Sequence, residues 1–263
     1  MFKFKNIYCQ IVLGIPGSGK TTFCNVIDDF VSKTGRNSGI INLDPGCYQK
    51  NVIFKANICD IMHMNEIISD LHLGPNGSIL YCLEYLYKNL GWLEKKINLT
   101  SSDSKPIFIF FDFPGQIELY THRKTIKNII TRMQKQEINL NGVMITDYFF
   151  LTDHTVNCLL SLTNLMIMLN IELPFINLLN KLNLLNKQVK KTVFFNIANN
   201  SSIFLQNLRI QKNSFNWSFK ILKNLQNLTE DFIQTGPFPF DFNSSSDLEK
   251  ILKKVVGGDF SFQ

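Results

Sequence analysis

Gly14, Gly19, Lys20 and Thr21 stand at the spacing G-x-x-x-x-G-K-[ST], a set of residue types suited to holding phosphate oxygens. Glycine lets successive backbone N–H groups turn inward where a Cβ would block them. The run Gly14-Ile15-Pro16-Gly17-Ser18-Gly19-Lys20-Thr21-Thr22 therefore reads as a phosphate cradle, with Pro16, Gly17, Ser18 and Thr22 completing its lining. Lys20 is expected to bridge the β and γ phosphates of a nucleotide, and the Thr21 hydroxyl to ligate Mg²⁺. Asp112 closes the apolar run 107–111 and precedes Phe113-Pro114-Gly115-Gln116. A carboxylate at such a strand end can hold Mg²⁺ directly or through water, Gly115 permits a loop that senses the γ-phosphate, and Gln116 can orient an attacking water. Asn180, Lys181, Leu182 and Asn183 follow the apolar run 175–179, where a guanine-reading Asn-Lys-x-Asp sequence would stand. An accidental Asn-Lys pair in an Asn-rich chain is the alternative.

These groups need elements that bring them to one edge. Residues 7–13 form an apolar run, a helix is expected from Lys20 to about Lys33 with Gly35 stopping it, and 39–43 is apolar again. Strand, glycine loop, helix, strand is a βαβ unit, and parallel strands need such crossovers. Further apolar runs at 107–111, 143–145 and 175–179 suit strands covered on both faces. Between them, 79–97 carries Leu80, Leu83, Leu86, Leu90 and Leu93 at helical spacing, and 155–169 carries Val156, Leu159, Leu160, Leu162 and Met166. Both stripes, with Met168, are expected to be core packing. Residues 98–106, 199–202 and 243–246 read as loops, 203–235 as a helical insertion, and 238–242 as a last strand. The expectation is one α/β domain over 1–263 of the P-loop NTPase class: a mostly parallel sheet, helices on both faces, and the insertion near the C-terminus.

With 263 residues, 45% hydrophobic and 18% charged, the chain can bury a sizeable core. The net charge of +6 is spread out, with no basic run longer than a pair such as Lys95-Lys96 or Lys190-Lys191, so no direct nucleic-acid contact is expected. Cys9, Cys24, Cys47, Cys59, Cys82 and Cys158 form no C-x-x-C pair and have no His at metal-ligand spacing. They read as small buried hydrophobes in a reducing compartment. No apolar run reaches the roughly 18 residues that span a bilayer, and no secretory leader precedes the cradle, so a soluble, intracellular protein without membrane contact is expected. His63, His72, His122 and His154 are scattered and receive no role.

Leu73-Gly74-Pro75-Asn76-Gly77-Ser78, Asn42-Leu43-Asp44-Pro45 and Phe111-Asp112-Phe113-Pro114-Gly115-Gln116-Ile117-Glu118-Leu119 together resemble the GPN-loop GTPases. Residues 80–86 and 172–179 resemble the second of the three eukaryotic paralogues in particular. The resemblance covers 7–185 and fades beyond. It implies GTP/GDP and Mg²⁺ as ligands and a homodimer, or a heterodimer with a paralogue. It also implies RNA polymerase II subunits or assembly factors as partners, and a cytoplasmic protein that shuttles to the nucleus. Gly74, Pro75 and Asn76 would form the family's loop, with Asn76 reaching toward the partner's γ-phosphate. Asp44 would lie near Mg²⁺ and the hydrolytic water, and Gln116 and Glu118 would complete that network. Taken alone, Gly74-Pro75-Asn76-Gly77 reads as a surface turn, Asp44 as a turn cap, and Glu118 as a helix first-turn carboxylate.

Two positions depart from the family pattern. Gly46 replaces an alanine after Asp-Pro, a change expected to be tolerated. Asn183 replaces the guanine-reading Asp, and an amide offers one acceptor oxygen plus its own donors. Such a donor mismatch costs on the order of 1–3 kcal/mol, so weakened guanine selectivity is expected, with xanthosine nucleotides accepted better. Two other function classes compete: a nucleotide-binding assembly module with little turnover, and a P-loop kinase. Against the kinase, only Arg36, Arg123, Arg132 and Arg209 occur, which gives no Arg-rich lid.

Overall fold

The computed structural model describes residues 7–47, 52–100, 107–136, 138–151, 154–182, 238–242 and 244–256. Their elements run β1 (Ile7–Gly14), α1 (Lys20–Lys33), β2 (Asn37–Asn42), β3 (Ala56–Asn57), a 3₁₀ turn (Ile58–Asp60), α2 (Met64–Leu71), α3 (Pro75–Lys88) and α4 (Leu90–Thr100). Then come β4 (Ile107–Asp112), α5 (Glu118–Thr121), α6 (Thr125–Gln134), β5 (Asn139–Asp147), a 3₁₀ turn (Tyr148–Leu151), α7 (His154–Ile171), β6 (Phe175–Asn180), β7 (Phe238–Pro239) and α8 (Ser245–Val256).

The seven strands form one sheet in the order β3-β2-β4-β1-β5-β6-β7, and every pairing is parallel. Strand β1 pairs with β4 on one side and β5 on the other. Side chains alternate across it. Ile7, Cys9, Ile11 and Leu13 of β1, with Ile107, Ile109 and Phe111 of β4, enter a core shared with α3, α4, α6 and part of α7. Val12, Phe108 and Phe110 point the other way, onto Phe23, Ile27 and Val31 of α1 and Ile251 and Leu252 of α8. Both faces are covered, so the strands carry near-continuous apolar runs. Each fully buried Ile or Phe here contributes roughly 1.5–3 kcal/mol of transfer free energy.

Some boundaries differ from the sequence expectation. The helix expected over 79–97 is two, broken at Asn89, whose N–H donates to the Tyr85 and Leu86 carbonyls and whose Nδ2 donates to the Tyr85 carbonyl at 2.9 Å. Helix α4 runs to Thr100, so the loop expected at 98–106 is helical in its first three residues. Strand β5 extends well beyond the apolar triplet 143–145, and β2 spans 37–42 rather than 39–43. Helix α8 starts inside the loop expected at 243–246, because Ser244 caps it: its Oγ accepts from the Asp247 N–H at 3.3 Å. In α7 the expected stripe is not the buried face. Leu159 and Met166 are exposed and Leu160 and Leu162 only half-buried, while Leu165, Ile167 and Ile171 are buried. This helix is apolar around most of its circumference, so periodicity could not select its inner side. The insertion expected at 203–235 and the loop at 199–202 lie outside the described residues. Among the described residues, no helix is long and apolar enough to cross a membrane.

Candidate functional site

The strand order sets the site. The connection leaving β1 runs to β2 on one side and the connection leaving β4 runs to β5 on the other, so the carboxyl ends of the neighbouring strands β1 and β4 flank a crevice at the reversal. Gly14 ends β1 and Asp112 ends β4, so the phosphate loop and the carboxylate meet although 91 positions separate Thr21 from Asp112. Helix α1 opens directly beneath the loop, its N-terminal dipole end facing the same crevice.

Gly19 sits at φ 97°, in the left-handed region, and a Cβ there would lie 2.5 Å from Asn180 Nδ2. Only glycine fits. Asn180 ends β6, fully buried, and its Nδ2 donates to the Ser18 carbonyl at 2.7 Å, which ties the base-side segment to the phosphate loop. Lys20 is buried, and its Nζ donates to the Ile15 carbonyl at 3.2 Å. Burial pushes its ammonium below the usual lysine range, while Asp112 and Asp44 pull it back up. Pro16, Gly17 and Thr22 line the exposed side of the loop.

Thr21 Oγ1 donates to Asp112 Oδ2 at 2.5 Å. The other carboxylate oxygen, Oδ1, is buried with no partner among the described residues. Burial, with a smaller push from Asp44, outweighs the lowering by the Thr21 hydroxyl and Lys20 and holds the Asp112 carboxyl at about 6. Thr21 and Asp112 are hard oxygen donors, and the orphaned oxygen is one a cation would satisfy, so the pair fits Mg²⁺. Gly115 packs on the loop from above: a Cβ there would lie 2.8 Å from both Lys20 Nζ and Pro16 N. The next residue, Gln116, has its Oε1 buried and unpartnered among the described residues.

Asp44 lies just past β2. Burial raises its carboxyl above the usual range, and the Gly46 N–H and Lys20 lower it again. Asn76, exposed in the first turn of α3, donates from Nδ2 to Glu118 Oε1 at 3.2 Å. Gly74 and Pro75 are exposed beside it. The structure thus brings the Gly-Pro-Asn segment to Glu118 within one chain. Lys181 Nζ forms an ion pair of 2.6 Å with Asp147 at the end of β5, Leu182 is buried, and Asn183 lies outside the described residues.

Sequence reading missed Asp147, which positions Lys181, and Tyr120, whose hydroxyl donates to the Pro114 carbonyl and steadies the segment between Asp112 and Gln116. The one available signal for Asp147 was its place at a strand end, the same signal that singled out Asp112.

Comparison with known proteins agrees with this geometry. A family model described as conserved hypothetical ATP binding protein matches residues 12–255. GPN-loop GTPase 3 of Saccharomyces cerevisiae is 34% identical over 247 residues, covering 93% of this chain and 89% of that protein. GPN-loop GTPase 2 of Danio rerio is 31% identical over 249 residues, 94% of this chain and 78% of its own. Among solved structures, a GTPase in apo form from Pyrococcus abyssi matches at a TM-score of 0.78, covering 95% of this chain and 96% of that one. Its identity is 19%, so that likeness concerns the fold. Similarity sustained along nearly the whole chain, on a fold whose crevice is built around a phosphate loop, makes this chain a member of the GPN-loop GTPase family and a P-loop GTPase.

Proposed function

We propose that the protein is a Mg²⁺-dependent dimeric GTP switch whose nucleotide state opens or closes a surface for RNA polymerase II subunits or their assembly factors. On this reading it works in the cytoplasm and shuttles to the nucleus. The observation that carries the catalytic part is the Thr21–Asp112 pair, with its orphaned carboxylate oxygen beside Lys20. Thr21 and Asp112 would hold Mg²⁺, which when bound supplies charge neutralisation to the β and γ phosphates. Lys20 and the loop N–H groups hold the phosphates, the Gly115 backbone closes over them, and Gln116 and Asp44 orient the attacking water. Asn76, exposed at the tip of α3, would face the second protomer with Glu118 as its support. The dimer and the polymerase client come from the family resemblance alone.

Asn183 favours a second reading: a nucleotide-binding assembly module with little turnover or relaxed base specificity. Phosphate release with Mg²⁺ and GTP, XTP or ATP separates the two, with Lys20→Ala as the blank. GTP-selective turnover supports the switch. Turnover with XTP or ATP keeps the hydrolase but demotes guanine recognition, and no turnover with any of them supports the module.

A further inference from the structure

Asn42 is the last residue of β2, fully buried, and its carboxamide bonds both the backbone N–H and the backbone carbonyl of one residue, Asp44. Its Oδ1 accepts from the Asp44 N–H at 3.1 Å, and its Nδ2 donates to the Asp44 carbonyl at 3.0 Å. The same Nδ2 donates to Asn57 Oδ1 at 2.9 Å, so both amide hydrogens are used. Asn57 is itself fixed, because its Oδ1 also accepts from the Cys59 N–H at 3.0 Å and its own N–H donates to Asp60 Oδ2 at 3.3 Å. That order allows one orientation only. The Cys59 N–H needs an oxygen, so Asn57 presents Oδ1, so Asn42 must present NH₂ toward it. The Asp44 side chain is held as well, its Oδ1 accepting from the Gly46 N–H at 2.9 Å.

We infer that Asn42 is a positioning residue that sets the direction of the Asp44 carboxylate, with Asn57 as the anchor that orients Asn42. The inference rests on the proposed place of Asp44 beside the hydrolytic water. Asn42→Asp keeps the shape but turns both Nδ2 contacts into oxygen facing oxygen, unless the new carboxyl takes up a proton. Asn57→Ala is milder and lies at a half-buried position, so it serves if Asn42→Asp does not fold.

The test is phosphate release from Mg²⁺·GTP by the full chain, with GDP affinity measured in parallel, on Asn42→Asp, Asn57→Ala, the double variant and Asp44→Asn. Misaligning a catalytic group by a fraction of an ångström lowers kcat, so Asn42→Asp and Asp44→Asn are each expected to lose about tenfold or more, and Asn57→Ala about threefold, while GDP Kd stays within about threefold. Adding Asn57→Ala to Asn42→Asp should cost less than about a further twofold, because both act along one path. Partial recovery of Asn42→Asp as pH falls would support the donor role, since a protonated carboxyl regains one donor. A kcat near wild type in Asn42→Asp, or losses that multiply in the double variant, would overturn the inference while leaving Asp44 in place. An unchanged kcat in Asp44→Asn removes the reading of Asp44, and the inference with it.

Discussion

At Gly115 the backbone passes so close to the phosphate loop that one added methyl would strike both Lys20 Nζ and Pro16 N. Gly115→Ala is therefore expected to lower kcat on the order of 100-fold and to lower the Tm as well, since the buried backbone must shift to admit the methyl, as phosphate release and circular dichroism would show. Asp112 poses an opposite balance, because its burial favours the neutral acid. Its folded-state carboxyl, near 6, lies above the ordinary 3.8. Below about pH 3 it is protonated in folded and unfolded chains alike, so burial then costs little. As pH rises toward about 6 the unfolded chain ionises first, and the nucleotide-free protein loses stability; above that the full cost persists. Asp112→Asn should raise the Tm of nucleotide-free, chelated protein at pH 7 by about 3–8 °C and leave it nearly unmoved at about pH 3. The same variant should lower Mg²⁺-dependent turnover on the order of 100-fold, so stability and function move apart. A Tm at pH 7 equal to wild type would contradict the burial argument. Lys20, Thr21 and Asp112 were legible in the sequence because a phosphate loop is read from local spacing. Asp147 and Asn57 were not, since their partners lie 34 and 15 positions away and no local pattern announces them.

The elements were legible wherever one signal dominated. Helix α1 matches its expected span, from the glycine loop to the Gly35 stop. Helix α3 and helix α4 were merged because a leucine stripe continues in phase across Asn89, where backbone and side-chain bonds to the previous turn end the first helix. Helix α8 was not expected, and its first two residues were read as part of a loop because serines that in part form a cap look like one. Ser244→Ala removes the hydroxyl acceptor and leaves the Asp247 N–H only the Ser244 carbonyl at 3.2 Å, so it should lower unfolding stability by about 0.5–1 kcal/mol. A chemical denaturation midpoint shift with unchanged slope would report it, and no shift would show that the carbonyl alone satisfies that N–H. For α7 no sequence rule could choose a face, because apolar residues surround the helix; packing against β5 and α6 chose it.

On the scale of the molecule, the proposed dimer makes a claim that one chain cannot meet by itself. Sedimentation velocity is expected to show a monomer–dimer equilibrium shifted toward dimer by Mg²⁺ with a non-hydrolysable GTP analogue. Asn76→Ala should lower kcat about tenfold while leaving nucleotide affinity within about threefold, as expected of a group that acts on the transition state. A chain that stays monomeric at all concentrations while turning over GTP would remove the dimer from the proposal. The strand, loop and helix around Lys20 follow from local sequence, because glycine torsions, the P-loop spacing and helical periodicity act within a few residues of one another. The α/β class follows from the sequence too, since alternating apolar runs and amphipathic helices admit few layer arrangements. Folding of the whole chain was needed to set β4 beside β1, which places Asp112 on Thr21, and to bring Asn57 against Asn42. Those contacts join segments distant along the chain, and their partners are chosen by the closing of two cores around one sheet.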